Sequence, residues 1–218
     1  MTTLAKVNLK ADYERTRILQ NAAKVFMRRG YEGTTVDHVA REMKVTKGFI
    51  YYYFKSKAEI FYELHARAME DMRSTMLAAI PRDASPQEKL RAVMSANIRF
   101  IEEGAVSGAI AARTAWLAVN RKFPAPYRKK LTEQRHQIRR IFESILEEGI
   151  REGVFQPGEV DFVVKTIMGA LTWLPTWYRS DGRLGPDEVG DIFSRMIRGP
   201  FEVSEAGRIQ SLNGRRTL

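Results

Sequence analysis

The 218-residue chain contains no cysteine. That absence excludes disulfides, thiolate metal sites, iron–sulfur clusters and a cysteine nucleophile, and leaves no sign of an oxidising compartment. Histidine is scarce. His38, His65 and His136 are dispersed and lack metal-ligand spacing. No GxSxG, P-loop or GxGxxG motif occurs. The expectation is a non-enzyme with no metal and no bound cofactor. Long apolar runs are missing too. The most apolar stretch, Ile167 to Leu174, ends at Pro175, far short of the ~20 residues of a membrane span. The N-terminus, MTTLAKVNLKADYERTRIL, has no apolar core of signal-peptide length, so the cytoplasm is the expected location. Alternating apolar and polar residues, hairpin signatures and fixed-period repeats are also absent.

What is present is enough apolar material for a core and an uneven charge. Hydrophobic residues make up 44% and charged residues 28%, near the averages for folded domains. The net charge is +10. Residues 1–57 hold 12 Lys and Arg against five acids, and the remaining 161 residues hold 24 against 21. A basic N-terminal unit on a nearly balanced body makes nucleic acid the first candidate partner. A basic surface kept for solubility is the alternative.

Apolar residues recur at helical spacing almost throughout. The pattern predicts an all-α chain of about nine helices: 13–29, 36–43, 47–53, 57–79, 86–103, 107–119, 127–152, 159–179 and 186–198. Gly30 is a natural left-handed stop for the first, and Gly104 and Gly153 end later ones. Thr35 and Thr46 are placed as N-caps, with Asp37 in a first turn where the helix dipole favours an acid. Ser85, Pro86 and Glu88 give a cap, a proline at the first helical position and a first-turn acid. The expected organisation is residues 1–56 as a DNA-binding unit, 57–202 as a helical bundle and 203–218 as a loose tail.

Residues 34–57, TTVDHVAREMKVTKGFIYYYFKSK, are the informative segment. Two short helices joined by three or four residues, the second basic and aromatic, form a helix-turn-helix pattern. Such a helix enters the major groove with its N-terminal end leading. Thr46, Lys47 and Gly48 sit at that end. Lys47 supplies a cation, and Gly48 lets backbone approach a duplex. Lys47 and Tyr51 share one face, with Gly48 and Tyr52 on the neighbouring stripe. The tyrosine hydroxyls can donate to phosphates, and Lys55 and Lys57 extend the positive surface. Ile50 and Phe54 fall where they would anchor the helix to a core. A tyrosine-rich helix buried in a core is the bland alternative. His38 is read as a surface residue near phosphate.

These residues resemble the DNA-binding domain of the TetR family of transcriptional regulators. The likeness runs from Ile18-Leu19-Gln20-Asn21-Ala22-Ala23 through Phe26, Gly30-Tyr31-Glu32-Gly33-Thr34-Thr35-Val36, Val45-Thr46-Lys47-Gly48, Tyr51, Phe54 and Ser56-Lys57. The resemblance implies a three-helix reader, a C-terminal bundle that binds an effector and dimerises, and release from DNA when ligand binds. It also implies Thr35, Thr46, Lys47, Gly48, Tyr51, Tyr52 and Lys57 as DNA contacts. Phe49 departs from the family pattern, which more often has a small or polar residue there. Its ring either packs on a thymine methyl or turns inward.

The C-terminal part resembles members that respond to acyl-CoA thioesters, through Trp173, Trp177-Tyr178-Arg179 and Gly182-Arg183-Leu184-Gly185-Pro186. Residues 160–179 carry two apolar stripes. Val163, Ile167, Ala170, Leu171 and Leu174 form one; Phe162, Thr166, Gly169, Trp173 and Trp177 form the other. A helix apolar on several sides is buried on several sides. With Val189, Ile192, Phe193, Met196 and Ile197 of the last helix, it predicts an isologous four-helix dimer interface. Val163, Ile167, Leu174, Val189, Ile192, Phe193 and Met196 are its expected residues. Closure of the chain's own core is the alternative. Phe100, Arg113, Trp116, Trp173 and Trp177 are candidates to line an effector pocket, with Arg113 facing either a ligand or solvent. Arg121, Lys122, Arg128, Lys129 and Lys130 are available for CoA phosphates, or form a solvated face.

The expected function is a repressor that binds a palindromic operator as a homodimer and is released by a small molecule, an acyl-CoA thioester first. The rivals are an efflux-system repressor sensing hydrophobic drugs and a non-specific architectural DNA-binding protein.

Overall fold

The computed structural model describes residues 3–103, 123–155, 157–179 and 181–198. Among them there are eight α-helices and no strand: α1 (Thr3–Arg29), α2 (Val36–Met43), α3 (Lys47–Tyr53), α4 (Lys57–Ala78), α5 (Pro86–Glu103), α6 (Ala125–Arg151), α7 (Val160–Trp173) and α8 (Pro186–Arg198). The helix expected over 107–119 and the tail from 203 lie outside the described residues. No helix among those described is long and apolar enough to cross a membrane.

Two boundaries differ from the sequence reading by more than two residues. Helix α1 starts ten residues earlier, because residues 3–12 hold no proline or glycine to stop it. Helix α7 ends at Trp173, and Leu174–Thr176 continue as one 3-10 turn. Pro175 has no N–H for the i→i−4 ladder, and its ring clashes with the preceding turn. The helix expected to run to Arg179 therefore stops there.

The chain forms two compact units, Met1–Glu70 with Gly104–Gln134, and Asp71–Glu103 with Arg135–Leu218. The first unit is larger than the 1–56 expected. Ile60 and Phe61 of α4, together with Phe123 and Leu131, bury in the same core as Ile18, Leu19, Phe26, Val39, Ile50 and Phe54. Phe26 and Phe61 meet edge to face at 5.1 Å, and Tyr31 packs on Phe61 at 5.0 Å and on Phe123 at 5.3 Å. Such pairs add to the area they bury. Arg28 of α1 pairs with Glu42 of α2 at 2.5 Å.

In the second unit α5 is central. Residues 93–98 are all buried, so over this stretch the helix is covered on every side. Gly190 of α8 packs directly on Ser95: a Cβ there would lie 2.3 Å from Ser95 Oγ and 2.8 Å from its Cα. Lys89 pairs with Glu148 at 2.5 Å, and Arg99 with Asp187. Gly153 closes α6 at φ +68, and the ring of Phe155 folds back onto Gly149.

Candidate nucleic-acid interface

Local chemistry builds the α2–turn–α3 hairpin. Thr35 Oγ1 accepts from His38 N at 3.3 Å, and His38 Nδ1 accepts from Thr35 N at 3.2 Å. This is a capping box in which histidine stands where glutamate or glutamine is usual. His38, read from the sequence as a surface residue, is half-buried and its ring is engaged in this cap. Helix α2 ends on Lys44, which takes left-handed φ 56. Val45 N donates to Ala40 O at 3.0 Å and Lys44 N to Arg41 O at 3.1 Å, the bond pair of a Schellman stop. Thr46 Oγ1 then caps α3 by accepting from Phe49 N at 3.2 Å.

Helix α3 is pinned from behind. Ile50 and Phe54 are fully buried. Arg15 of α1 donates to Tyr53 O at 2.6 Å, its guanidinium stands 4.3 Å from the Phe54 ring centroid, and it pairs with Glu63. The outward side is left open. Thr35, Thr46, Lys47, Gly48, Tyr51 and Tyr52 are all exposed, Tyr52 by 82%. Lys47 Nζ is held by Asp37 Oδ2 at 2.8 Å.

Gly48 is informative for what surrounds it. A Cβ at this position would meet only Thr46 Oγ1, at 3.9 Å. Glycine inside a helix costs about 1 kcal/mol against alanine, and no packing among the described residues requires it here. The space over Gly48 is available to an approaching partner.

Two candidates sit differently. Phe49 turns inward: its ring is half-buried on the core, 5.2 Å from Tyr53, with Arg17 over it at 5.7 Å. Lys57 is half-buried, donates to Tyr31 O at 2.8 Å and lies 4.3 Å from the Tyr31 ring centroid. Burial pushes its ammonium below the ordinary lysine value. Sequence reasoning missed Arg15 and the pairing of Asp37 with Lys47, since both depend on how separate helices meet. The T-x-x-H spacing at Thr35 and His38 was a signal for the capping box.

In the second unit, the expected interface residues divide. Ile167, Leu174 and Val189 are buried in the chain's own core, Val163, Ile192 and Phe193 are half-buried, and Met196 is 69% exposed. The outward apolar side of α7 is the other stripe, with Phe162 and Trp173 (67% exposed), and Trp177 beyond the helix end and Met196 of α8 are exposed as well. Both stripes are apolar, so periodicity alone does not tell which one faces inward. Trp173 and Trp177, also candidates to line an effector pocket, are both exposed in the single chain. Phe100 is half-buried, and Arg113 and Trp116 lie outside the described residues.

Comparison with known proteins gives two family matches. "Bacterial regulatory proteins, tetR family" covers residues 18–64, and "Tetracyclin repressor-like, C-terminal domain" covers residues 83–200, more than half the chain. Among curated proteins, the HTH-type transcriptional repressor KstR2 of Mycolicibacterium smegmatis is 27% identical over 196 residues, 89% of this chain and 93% of that one. Among solved structures, the TetR family transcriptional regulator PfmR from Thermus thermophilus superposes with a TM-score of 0.72 at 29% identity, covering 84% of this chain and 97% of that one. AibR in complex with isovaleryl coenzyme A and operator DNA shares the fold, with a TM-score of 0.73 at 24% identity over 86% of this chain and 99% of that one.

Proposed function

The chain belongs to the TetR family of bacterial transcriptional regulators, and from that premise we propose that it is a repressor that binds a palindromic operator as a homodimer and is released by an acyl-CoA thioester. The observation that carries the DNA half is the outward side of α3. Thr46, Lys47, Gly48, Tyr51 and Tyr52 are exposed on a helix whose back is fixed by Ile50, Phe54 and Arg15. Lys47 and the tyrosines offer contacts to phosphates and base edges. Gly48 leaves room for the duplex to come close.

The homodimer reading is supported by the exposed Phe162, Trp173, Trp177 and Met196. Large apolar side chains left exposed favour a partner surface, and Phe162 and Trp173 share one side of α7. A second copy meeting the same residues by two-fold symmetry gives two recognition helices for two operator half-sites.

The effector reading draws on two similar proteins. KstR2 is a repressor, and AibR has been solved with isovaleryl coenzyme A and operator DNA. Release works by population shift. A thioester that prefers a conformation unable to match half-site spacing lowers operator occupancy, and only by its differential affinity for the two states. Helices α4 and α6 each pass along the chain from one unit into the other, and in this reading they are the segments that transmit the preference.

The test has two steps. Duplexes enriched by the full-length protein from a random library are expected to be two-fold symmetric. A thermal-shift screen then compares isovaleryl-CoA and longer acyl-CoAs with free CoA and the free acids. Stabilisation by a thioester that also releases the enriched duplex supports the whole reading. Stabilisation by hydrophobic drugs alone moves the effector class to lipophiles. Binding without enrichment of any sequence removes the repressor reading in favour of an architectural protein.

A further inference from the structure

Helix α3 carries one charged side chain, Lys47, and in the free chain its charge is already engaged. Lys47 Nζ lies 2.8 Å from Asp37 Oδ2 and 5.8 Å from the Tyr51 ring centroid. The side chains of Lys47 and Asp37 are 49% and 48% exposed. The carboxylate therefore stands on the same outward surface as Thr46, Gly48 and Tyr51, and not beneath it. The mutual hydrogen bond holds the Asp37 carboxyl below its ordinary value and the Lys47 ammonium above its own. Both groups stay charged through the neutral range.

The fold does not depend on this pair. The α2–α3 geometry is set by the stop at Lys44, by the Thr46 cap and by buried Val39, Ala40 and Ile50. An ion pair this exposed adds little to stability. For a surface that meets a polyanion, however, the carboxylate matters. It repels phosphates, and it competes with them for the only cation of the helix.

We propose that Asp37 is a specificity-determining residue: by holding Lys47 it withholds one phosphate contact from DNA of arbitrary sequence, and gives it up only where a matched duplex supplies base contacts as well. This inference rests on the DNA-reading function proposed above. Binding to arbitrary DNA is almost entirely phosphate contact, whereas a matched site adds hydrogen bonds and apolar contacts to base edges. A group that competes for one phosphate contact therefore weakens the first kind of binding proportionally more. The carboxylate itself can accept from a cytosine amino group in the major groove, a contact that arbitrary sequence seldom offers in register.

The test uses the full-length protein, a duplex enriched by the wild-type chain from a random library, and a scrambled duplex of the same composition. Asp37→Asn is expected to tighten binding to the scrambled duplex by about three- to tenfold at low salt, and to steepen the log–log salt slope by about 0.9, the signature of one added phosphate contact. Binding to the enriched duplex is expected to change less, so the ratio between the two falls. In a Lys47→Ala background the gain disappears. Asp37→Glu, which keeps the charge and the helix-start acid, is expected to retain a ratio near that of the wild type. The inference is overturned if Asp37→Asn leaves scrambled-duplex binding unchanged or weaker, raises both affinities equally, or gives the same gain without Lys47. A wild-type chain that enriches no duplex overturns the DNA-reading function and this inference together. Enrichment with no Asp37 effect overturns the inference alone.

Discussion

Arg15 of α1 donates from Nη1 to the backbone carbonyl of Tyr53, at 2.6 Å, and so satisfies a carbonyl at the end of α3. The same guanidinium lies over the Phe54 ring at 4.3 Å and pairs with Glu63 of α4. One side chain from the first helix thus fixes where the third helix ends. Arg15→Ala is expected to destabilise the fold by about 2 kcal/mol, the scale of a partly buried hydrogen bond from a charged donor. Arg15→Lys keeps the charge without the planar fork and is expected to fall between the two. Urea unfolding midpoints of the three proteins check this. Equal midpoints for wild type and Arg15→Ala would show that Ile50 and Phe54 alone hold α3.

Gly48 offers a separation of stability from function. With only Thr46 Oγ1 within 4 Å of a Cβ placed there, Gly48→Ala is expected to stabilise the chain by about 0.5–1 kcal/mol through helix propensity. The same methyl is expected to weaken binding of an enriched duplex about tenfold, by standing where the duplex must approach. Thermal unfolding and fluorescence anisotropy read the two effects. A variant that is more stable and binds equally well would place the duplex elsewhere.

Lys44 holds a conformation that suits glycine. At φ 56 its Cβ crowds the neighbouring carbonyl, yet two backbone bonds, Lys44 N to Arg41 O and Val45 N to Ala40 O, hold it there. Lys44→Gly relieves the crowding and loosens the unfolded chain, with a net stabilisation of about 1 kcal/mol expected. A lower melting temperature for this variant would show that the lysine side chain contributes more than the strain removes.

What was legible in the sequence follows the range of the interaction. The caps at Thr35 and Thr46 and the left-handed Gly30 are decided within a few residues, and the structure has all three. The α8 boundaries follow from Pro186 and a single unambiguous apolar stripe. Helix α7 was harder. Its two stripes are both apolar, and only packing against the rest of the unit turns Ile167 and Leu174 inward and Phe162 and Trp173 outward. The Lys47–Asp37 pair joins residues ten apart on different helices, so no local pattern announces it. Phe49 was ambiguous for a similar reason, until Tyr53 and the core gave its ring a place.

Asn97 is only 2% exposed, and its Nδ2 has two thioether partners, Met72 Sδ at 3.1 Å and Met76 Sδ at 3.6 Å. Its Oδ1 finds no donor among the described residues. Sulfur is a weak acceptor, and a buried acceptor left open costs about 1–3 kcal/mol. Asn97→Leu, of similar shape, replaces both polar atoms at once and is expected to raise stability by about 1 kcal/mol in the ligand-free protein. Calorimetric unfolding tests it. A destabilised variant would mean that the amide is satisfied in solution by a bound water, which the leucine displaces.

The outward side of α7 gives the last expectation. Phe162 and Trp173 lie eleven residues apart, three helical turns, with Thr166 and Gly169 between them on the same exposed side. Ile167 sits on the opposite side, in the core. If a second copy covers the exposed stripe, Phe162→Glu with Trp173→Glu places charge in a desolvated interface. The double variant is expected to sediment as a folded monomer with an unchanged helical circular dichroism spectrum. Ile167→Glu buries a charge inside the chain and is expected to unfold it, at a cost of several kcal/mol. The contrast between the two sides of one helix is the discriminating feature. A double variant that remains dimeric moves the interface off α7, and a wild-type chain that sediments as a monomer at micromolar concentration removes the homodimer altogether.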